Sequence, residues 1–290
     1  MTMPLDGARG ELMSGHTSLR VGGAADYYIR ARTEEDLVGA IGVARRHEIP
    51  VFILGGGTNL LVSDRGIRAV VLDNAGSETS VDGSTVTAAS GTPLASVAAV
   101  AARAGIEGLE WMATVPGTVG GAVHGNAGAF GSETADSLVD ATLVDLNGDL
   151  WTQDNAAFRF AYRTSALQGT PIVCLRASFR GTSGDRARAV AKIKEMANER
   201  VRKQPLAQPN TGSIFRNPPG DHAGRLIDAA GLKGARAGGA EVSRKHANFI
   251  VNTGAASAGD VWQLMQRCIH EVRDRFGVEL VPEVERVGEW

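Results

Sequence analysis

Three side chains in this sequence have the chemistry to handle an anion and a proton: Arg163 in FAYRTS, Ser213 in TGSIFRNP and Glu283 in VPEV. A guanidinium can hold a carboxylate or a growing negative charge, and a hydroxyl or carboxyl can pass a proton. Residues 211–218 gather a hydroxyl, the Arg216 guanidinium and the Asn217 carboxamide between Gly212 and Pro218. Glycine permits unusual backbone angles and proline halts regular structure, so a shaped loop or strand start is expected there. Polar groups on such a turn can be aimed at a ligand. Taken singly, each residue has an ordinary alternative: a turn hydroxyl at Ser213, a solvated charge at Arg163, an exposed tail acid at Glu283.

Two glycine-rich segments accompany them. The first, Gly55, Gly56, Gly57, Thr58 and Asn59, runs out of a short apolar stretch, PVFIL, expected to be a buried strand. Backbone N–H groups at the end of such a strand can meet a diphosphate. The glycine spacing is not that of the dinucleotide fingerprint, and no Lys-Ser/Thr ending makes it a Walker loop. The second segment, residues 116–128 (PGTVGGAVHGNAG), is read as too glycine-rich for either regular state. A tight turn explains the first segment alone. The two together suggest an extended, phosphate-bearing cofactor gripped from two sides.

The elements that must position these residues follow from periodicity. Residues 26–31 read as a strand, and Thr33 as the cap of a helix with Leu37, Ile41 and Ala44 on its buried stripe. Residues 69–72 and 84–90 are expected as strands, and 93–104 as an alanine-rich helix begun by Pro93. Asn147-Gly148 signals a hairpin between residues 141–146 and 150–152, and 172–180 reads as a further strand. A charged helix over about 185–202, exposed or bridging, precedes a helix at 222–230 and a strand at 247–252. Val261, Leu264, Cys268, Val272 and Phe276 form one more helical stripe, stopped by Gly277, and residues 278–281 are expected as the last strand.

With 290 residues the chain is expected to form two or three domains. Its formal net charge of -2 gives no support to a nucleic-acid or anionic-membrane surface. The six histidines share no ligand spacing with cysteines or acids, so no metal is expected. Cys174 and Cys268 lie in apolar settings and read as buried thiols. The start, MTMPLDGARGELMSG, lacks the basic and apolar regions of a signal peptide, and no apolar run reaches membrane-spanning length. A cytoplasmic location is expected.

In order along the chain, HTSLRVGGAADYYI (from His16), ILGGGTNLLV (from Ile53), VPGTVGGAVHGNAGAFG (from Val115), FAYRTS, TGSIFRNP, AGLKGARAGGAEVSRKHANFIVN (from Ala230) and VPEV closely resemble the UDP-N-acetylenolpyruvoylglucosamine reductase family. These are flavoenzymes of peptidoglycan precursor synthesis. The resemblance implies an α+β protein: a two-part FAD-binding domain of the vanillyl-alcohol-oxidase/PCMH type and a C-terminal α+β substrate-binding domain. The parts would be residues 1–75, 76–184 and 185–290. It implies non-covalent FAD along Gly55, Gly56, Gly57, Thr58, Asn59 and Leu60 and along Pro116, Gly117, Gly121, Ala122, Asn126 and Gly128. NADPH would be the hydride donor, sharing one pocket with UDP-N-acetylglucosamine enolpyruvate. By the same resemblance Ser213 matches the proton donor and Arg163 with Glu283 the stabilising pair, while Lys203, Arg216 and Asn217 match substrate contacts. The interval from Arg163 to Ser213 is short, so a tyrosine-bearing capping loop found in part of the family is missing. Thr114-Val115 stands where Gly-Ile commonly precedes Pro116, and His124 reads as an ordinary polar contact rather than a flavin tether. Another flavin oxidoreductase on the same scaffold, such as an oxidase of small alcohols, would explain the glycine segments but not TGSIFRNP and VPEV. A flavin- or nucleotide-sugar-binding regulator would predict the loss of one of the three chemical residues.

Overall fold

The computed structural model describes residues 7–290; the amino-terminal reading rests in part on residues 1–6, which lie outside the described residues. The chain forms two compact units. One contains Tyr27–Gly56 and Ala69–Arg200, the other Arg9–Asp26, Gly57–Arg68 and Val201–Trp290.

In the first unit Thr33 caps the helix Glu34–Arg46 through a reciprocal pair: Asp36 N donates to Thr33 Oγ1 at 3.1 Å and Thr33 N to Asp36 Oδ2 at 3.1 Å. Leu37, Ala40, Ile41 and Ala44 recur at helical spacing and are buried. They pack on Ile29, Ala31, Val70 and Leu72, together with Val144, Val173 and Leu175 from a second sheet. Each Leu, Ile or Val among them contributes about 1.5–3 kcal/mol on burial. Strand Val51–Leu54 runs parallel to Ile67–Asn74, pairing Val51 with Val70 and Leu54 with Asp73. Only Leu54 of that short strand is fully buried, so the expected buried strand is half-covered.

The second sheet of this unit is antiparallel, in the order Leu150–Asp154, Leu138–Val144, Val173–Arg180, Thr85–Ala89, Thr79–Asp82. Helix Leu94–Arg103 covers it with Leu94, Val97, Ala98 and Ala101, and Pro93 stands just before the helix as its N-cap. The Asn147-Gly148 hairpin exists, but Val144 pairs with Leu150 and residues 145–149 form the loop. Asp145 Oδ1 accepts from the N–H of Asn147 (2.7 Å) and of Asp149 (3.0 Å), so a side chain caps the loop in place of a two-residue turn.

One expectation is overturned here. Val119–Gly125, read as irregular, is a short helix closed by Asn126 in the left-handed region at φ 45°. Val119, Ala122 and Val123 are buried at i, i+3 and i+4, and that burial outweighs the poor helix propensity of the glycines between them.

The charged helix Arg186–Lys203 buries only Ala189. Polar contacts fasten its length within the first unit. Arg188 pairs with Glu107 at 2.7 Å and Lys192 with the buried carboxylate of Glu110 at 3.7 Å. Arg200 Nη1 donates to the carbonyl of Thr114.

The second unit is built around helix Ala258–Phe276. Ser257 and Asp260 form its capping box, and the Asp64 carboxylate accepts from Ala258 N (2.8 Å) and Gly259 N (3.0 Å). Val261, Leu264, Met265, Cys268 and Val272 face a core shared with helix Ala223–Ala229 and with the small antiparallel sheet Arg236–Ala237, Ala240–Val242, Ile250–Asn252. Gly277 ends the long helix at φ 67°, as expected, but Phe276 is 39% exposed and does not belong to the buried stripe. Residues 278–281 form no strand. Pro282, which has no N–H, makes a single bridge to Phe215, and the last strand is Glu285–Val287, parallel to Leu60–Val62. The strand expected at 247–252 begins only at Ile250, because Ala247, Asn248 and Phe249 turn instead along the Ser213 segment.

Among the described residues no helix is long and apolar enough to cross a membrane, and no cluster of His, Cys, Asp or Glu is placed to hold a metal ion.

Candidate active site

The first unit carries Gly55, Gly56, the segment from Pro116 to Gly128, and Arg163. The two glycine segments meet here: a Cβ on Gly55 would stand 2.7 Å from Thr118 Oγ1. Backbone bonds stitch the second segment to residues 90–94. Gly120 N donates to Ser90 O (2.7 Å), Val119 N to Thr92 O (2.9 Å) and Leu94 N to Gly117 O (3.0 Å). Gly121 is exposed, while Ala122 packs in the core and gives its carbonyl to Ala127 N and Thr134 Oγ1. His124 is half-buried, and its carbonyl accepts from Ser165 Oγ at 2.7 Å.

Arg163 is held against this segment. Its Nη2 donates to Gly128 O at 3.0 Å and its Nη1 to Asn126 O at 3.5 Å, with the Tyr162 ring centroid 5.2 Å from the guanidinium carbon. Asn126 in turn donates from Nδ2 to Ala161 O (3.0 Å) and accepts at Oδ1 from Ala135 N (3.0 Å). Four non-glycine residues from Asn126 to Arg163 sit at positive φ: Asn126 (45°), Phe130 (55°), Arg159 (46°) and Arg163 (57°). A left-handed backbone at a bulky residue persists only where its surroundings fix it, and such strain gathers at ligand sites.

The second unit carries Gly57, Thr58, Asn59, Leu60, Lys203, Ser213, Arg216, Asn217 and Glu283. Gly57 has φ +59°, and a Cβ there would lie 2.0 Å from His16 O, so only glycine fits. Asn59 Nδ2 donates to Glu283 O at 3.0 Å, and Glu285 N donates to Asn59 O at 2.9 Å. Glu283 N donates to Ile214 O at 2.8 Å, and Arg216 N to Val281 O at 2.9 Å. The glycine loop, the acid and the serine turn therefore share one run of backbone pairing. Asn217 Oδ1 accepts from Ala223 N at 3.1 Å, at the start of helix Ala223–Ala229. Lys203 is exposed at the end of its helix.

Ser213 and Asn217 also line a cleft of about 440 Å³ within this unit, whose wall adds Arg225, Lys233, Lys245 and His246. Arg225 donates from Nε to Asp221 at 2.7 Å, and that hydrogen bond holds the Asp221 carboxyl down at about 2. Lys233 pairs with Asp228 at 2.6 Å, and Lys245 donates to Val201 O at 2.6 Å. Burial first, and the nearby Lys233 charge second, lower the His246 pKa, which favours its neutral form. A cleft with this excess of cations suits an anionic ligand. The sequence reading missed Lys233, Lys245 and His246. They lie in the quoted AGLKG and SRKHANFIVN stretches, where glycine turns beside lysines were the available signal.

Orphaned polar atoms beside the Gly57 loop and the Ser213 turn fit two polar ligands, a phosphate-bearing flavin at the first and the substrate at the second. Buried Ser18 Oγ has no hydrogen-bond partner among the described residues, and its own N–H donates to Gly57 O at 3.0 Å. Thr211 Oγ1 and Arg216 Nε, flanking Ser213, are likewise buried and unsatisfied. Orphaned polar atoms are rare in native proteins, and a polar ligand is one way of pairing them.

A model of the FAD binding domain matches residues 25–153, and a model of the UDP-N-acetylenolpyruvoylglucosamine reductase C-terminal domain matches residues 204–287. UDP-N-acetylenolpyruvoylglucosamine reductase 2 of Symbiobacterium thermophilum is 44% identical over 97% of this chain and 92% of its own length. The reductase of Caldanaerobacter subterraneus subsp. tengcongensis is 42% identical over 96% and 93%. The crystal structure of UDP-N-acetylenolpyruvylglucosamine reductase from Thermus caldophilus superposes with a TM-score of 0.83 at 35% identity, covering 96% of this chain and 99% of that one. With such relatives along nearly its whole length, the chain belongs to the UDP-N-acetylenolpyruvoylglucosamine reductase family of flavin-dependent oxidoreductases.

Proposed function

We propose that this chain reduces UDP-N-acetylglucosamine enolpyruvate to UDP-N-acetylmuramate, a step of peptidoglycan precursor synthesis, with NADPH as hydride donor. Bound FAD supplies the hydride relay between the two. Residues 1–75 and 76–184 are the flavin-binding parts and residues 185–290 the substrate-binding part. The flavin is held without a covalent bond along Gly55–Leu60 and the segment from Pro116 to Gly128. NADPH and the enolpyruvyl substrate take turns in one pocket, and the reaction belongs in the cytoplasm.

Addition of hydride to the terminal methylene carbon leaves negative charge on the adjacent carbon and its carboxylate. The Arg163 guanidinium takes up that charge, and the carbonyls of Asn126 and Gly128 fix its direction beforehand. Ser213 donates its hydroxyl proton to the adjacent carbon, which completes the addition of one hydride and one proton across the double bond. Glu283, in its protonated form, donates a hydrogen bond to the carboxylate. Asn217, Lys203 and Arg216 hold the nucleotide diphosphate, and the cationic wall of the cleft extends that contact.

One observation carries this reading: Asn59 ties the glycine loop to Glu283, and Glu283 pairs with Ile214, next to Ser213. An accidental turn hydroxyl and a tail acid have no reason to be so linked. The test is anaerobic stopped-flow at the oxidised-flavin band. The enzyme is reduced with NADPH and then mixed with the enolpyruvyl substrate. Ser213→Ala should keep flavin reduction near wild type and slow reoxidation by ~10²-fold or more, the usual worth of a general acid. Equal loss in both half-reactions would make Ser213 structural, and reoxidation by oxygen alone would favour an oxidase.

A further inference from the structure

We infer that Asn248 is a positioning residue for the Ser213–Glu283 pair; the inference rests on the assignment of those two residues above. Ile214 and Phe215 have four backbone polar groups between them, and all four are occupied. Ile214 N donates to Asn248 O at 2.9 Å, Phe215 N donates to Asn248 Oδ1 at 3.0 Å, and Asn248 Nδ2 donates to Phe215 O at 2.8 Å. The fourth group, Ile214 O, accepts from Glu283 N at 2.8 Å. Asn248 thus fills one edge of the segment and Glu283 the other.

Asn248 stands in for a missing strand. Its carboxamide presents one acceptor and two donors from a single rigid plane, which matches the N–H and C=O of one residue. No other side chain of this length does so without a charge: aspartate lacks the donor, and leucine lacks both. Asn248 is only 3% exposed, and Ile214 and Phe215 are 1% and 2% exposed, so water cannot readily replace these bonds. Its own N–H is anchored to His246 Nδ1 at 3.3 Å. That bond calls for an unprotonated Nδ1, which the desolvated ring supplies.

The consequence is that the Asn248 side chain fixes, at Phe215, the segment that carries Ser213 and that pairs directly with Glu283 through Ile214. A shift of about 1 Å in a reacting group can cost ~10²-fold in rate. Asn248→Asp keeps the shape, keeps an acceptor for Phe215 N and turns a carboxylate on Phe215 O. Asn248→Ala removes both contacts.

The test is a double-mutant cycle on reoxidation by the enolpyruvyl substrate, with rates taken per bound flavin. The single variants are Ser213→Ala and Asn248→Asp, and the double variant carries both. Asn248→Asp is expected to slow reoxidation by ~10- to 100-fold, to leave the substrate KM within about threefold, and to raise the solvent deuterium isotope effect, because proton delivery is what it disturbs. The double variant should be about as slow as Ser213→Ala alone, since Asn248 acts through that residue. A multiplicative loss in the double variant, or a near-wild-type Asn248→Asp beside a crippled Ser213→Ala, would overturn the positioning role and leave Ser213 standing. A Ser213→Ala enzyme with wild-type reoxidation would overturn the serine assignment itself, and this inference with it. Asn248→Ala repeats the cycle if the aspartate variant does not retain flavin. If neither variant folds with flavin, Asn248 is a folding residue and the inference fails.

Discussion

At the scale of single residues, what matters is how little freedom the chemical groups have. Arg163 has a positive-φ backbone and a guanidinium fixed by two carbonyls, and Glu283 has its N–H and C=O both taken, by Ile214 and Asn59. Glu283→Gln removes the acid proton but none of these backbone bonds, so that variant should fold, bind flavin and be reduced by NADPH. It should reoxidise at least ~10-fold more slowly with the enolpyruvyl substrate, since an acid O–H aimed at the developing charge is a stronger donor than an amide. Wild-type reoxidation in Glu283→Gln would remove the carboxyl from the mechanism. The chemical trio was legible in the sequence because each residue sits in a short, distinctive string. Asn248 and the lysines of the cleft were not. A buried asparagine in an apolar run reads as part of a strand, and only the turn at residues 247–249 reveals that its carboxamide serves another segment.

At the scale of elements, the helices were the most legible part, because caps and apolar spacing act locally. Thr33 with Asp36 and Ser257 with Asp260 start helices where a hydroxyl precedes an acid by three residues, and Gly277 ends one. The misread elements are those whose conformation is decided by distant partners. The helix Val119–Gly125 forms because three of its residues bury, and residues 278–281 stay irregular because Phe215 and Pro282 set the register there. The glycine loop gives a sharp comparison. Gly57→Ala combines a left-handed φ with a Cβ 2.0 Å from His16 O, so the loop must move. Gly148, at the hairpin tip, has φ +91° but open space around it. Purified Gly57→Ala protein should lose most of its flavin absorbance, whereas Gly148→Ala should lose only about 1 kcal/mol of stability and keep its flavin. Equal flavin content in the two would separate the Gly57 loop from cofactor binding.

At the scale of the whole molecule, the two units hold separate cores, and each core contains one cysteine: Cys174 in the first, Cys268 in the second. Burial pushes both thiols up to about 12. In the native enzyme at about pH 8 neither should react with a disulfide reagent, because the reactive thiolate is scarce and shielded. In rising denaturant each should label as its own unit unfolds, which peptide mapping of the labelled sites would follow. Labelling of either cysteine in native buffer would contradict the packing described for it. The sequence could not have located this division, because the second unit draws on residues 9–26 and 57–68 as well as the last ninety or so, and no local signal marks such returns. Those returns also bear on how the protein is made. Asn59 reaches its partner Glu283 across 224 residues of chain, and Leu60–Val62 waits for Glu285–Val287. During synthesis strand Leu60–Val62 emerges early and stays without this partner until Glu285–Val287 has been made. Closure of the serine turn onto this loop is therefore a late event in the life of each molecule, and a chain stalled before residue 283 keeps Asn59 without that bond.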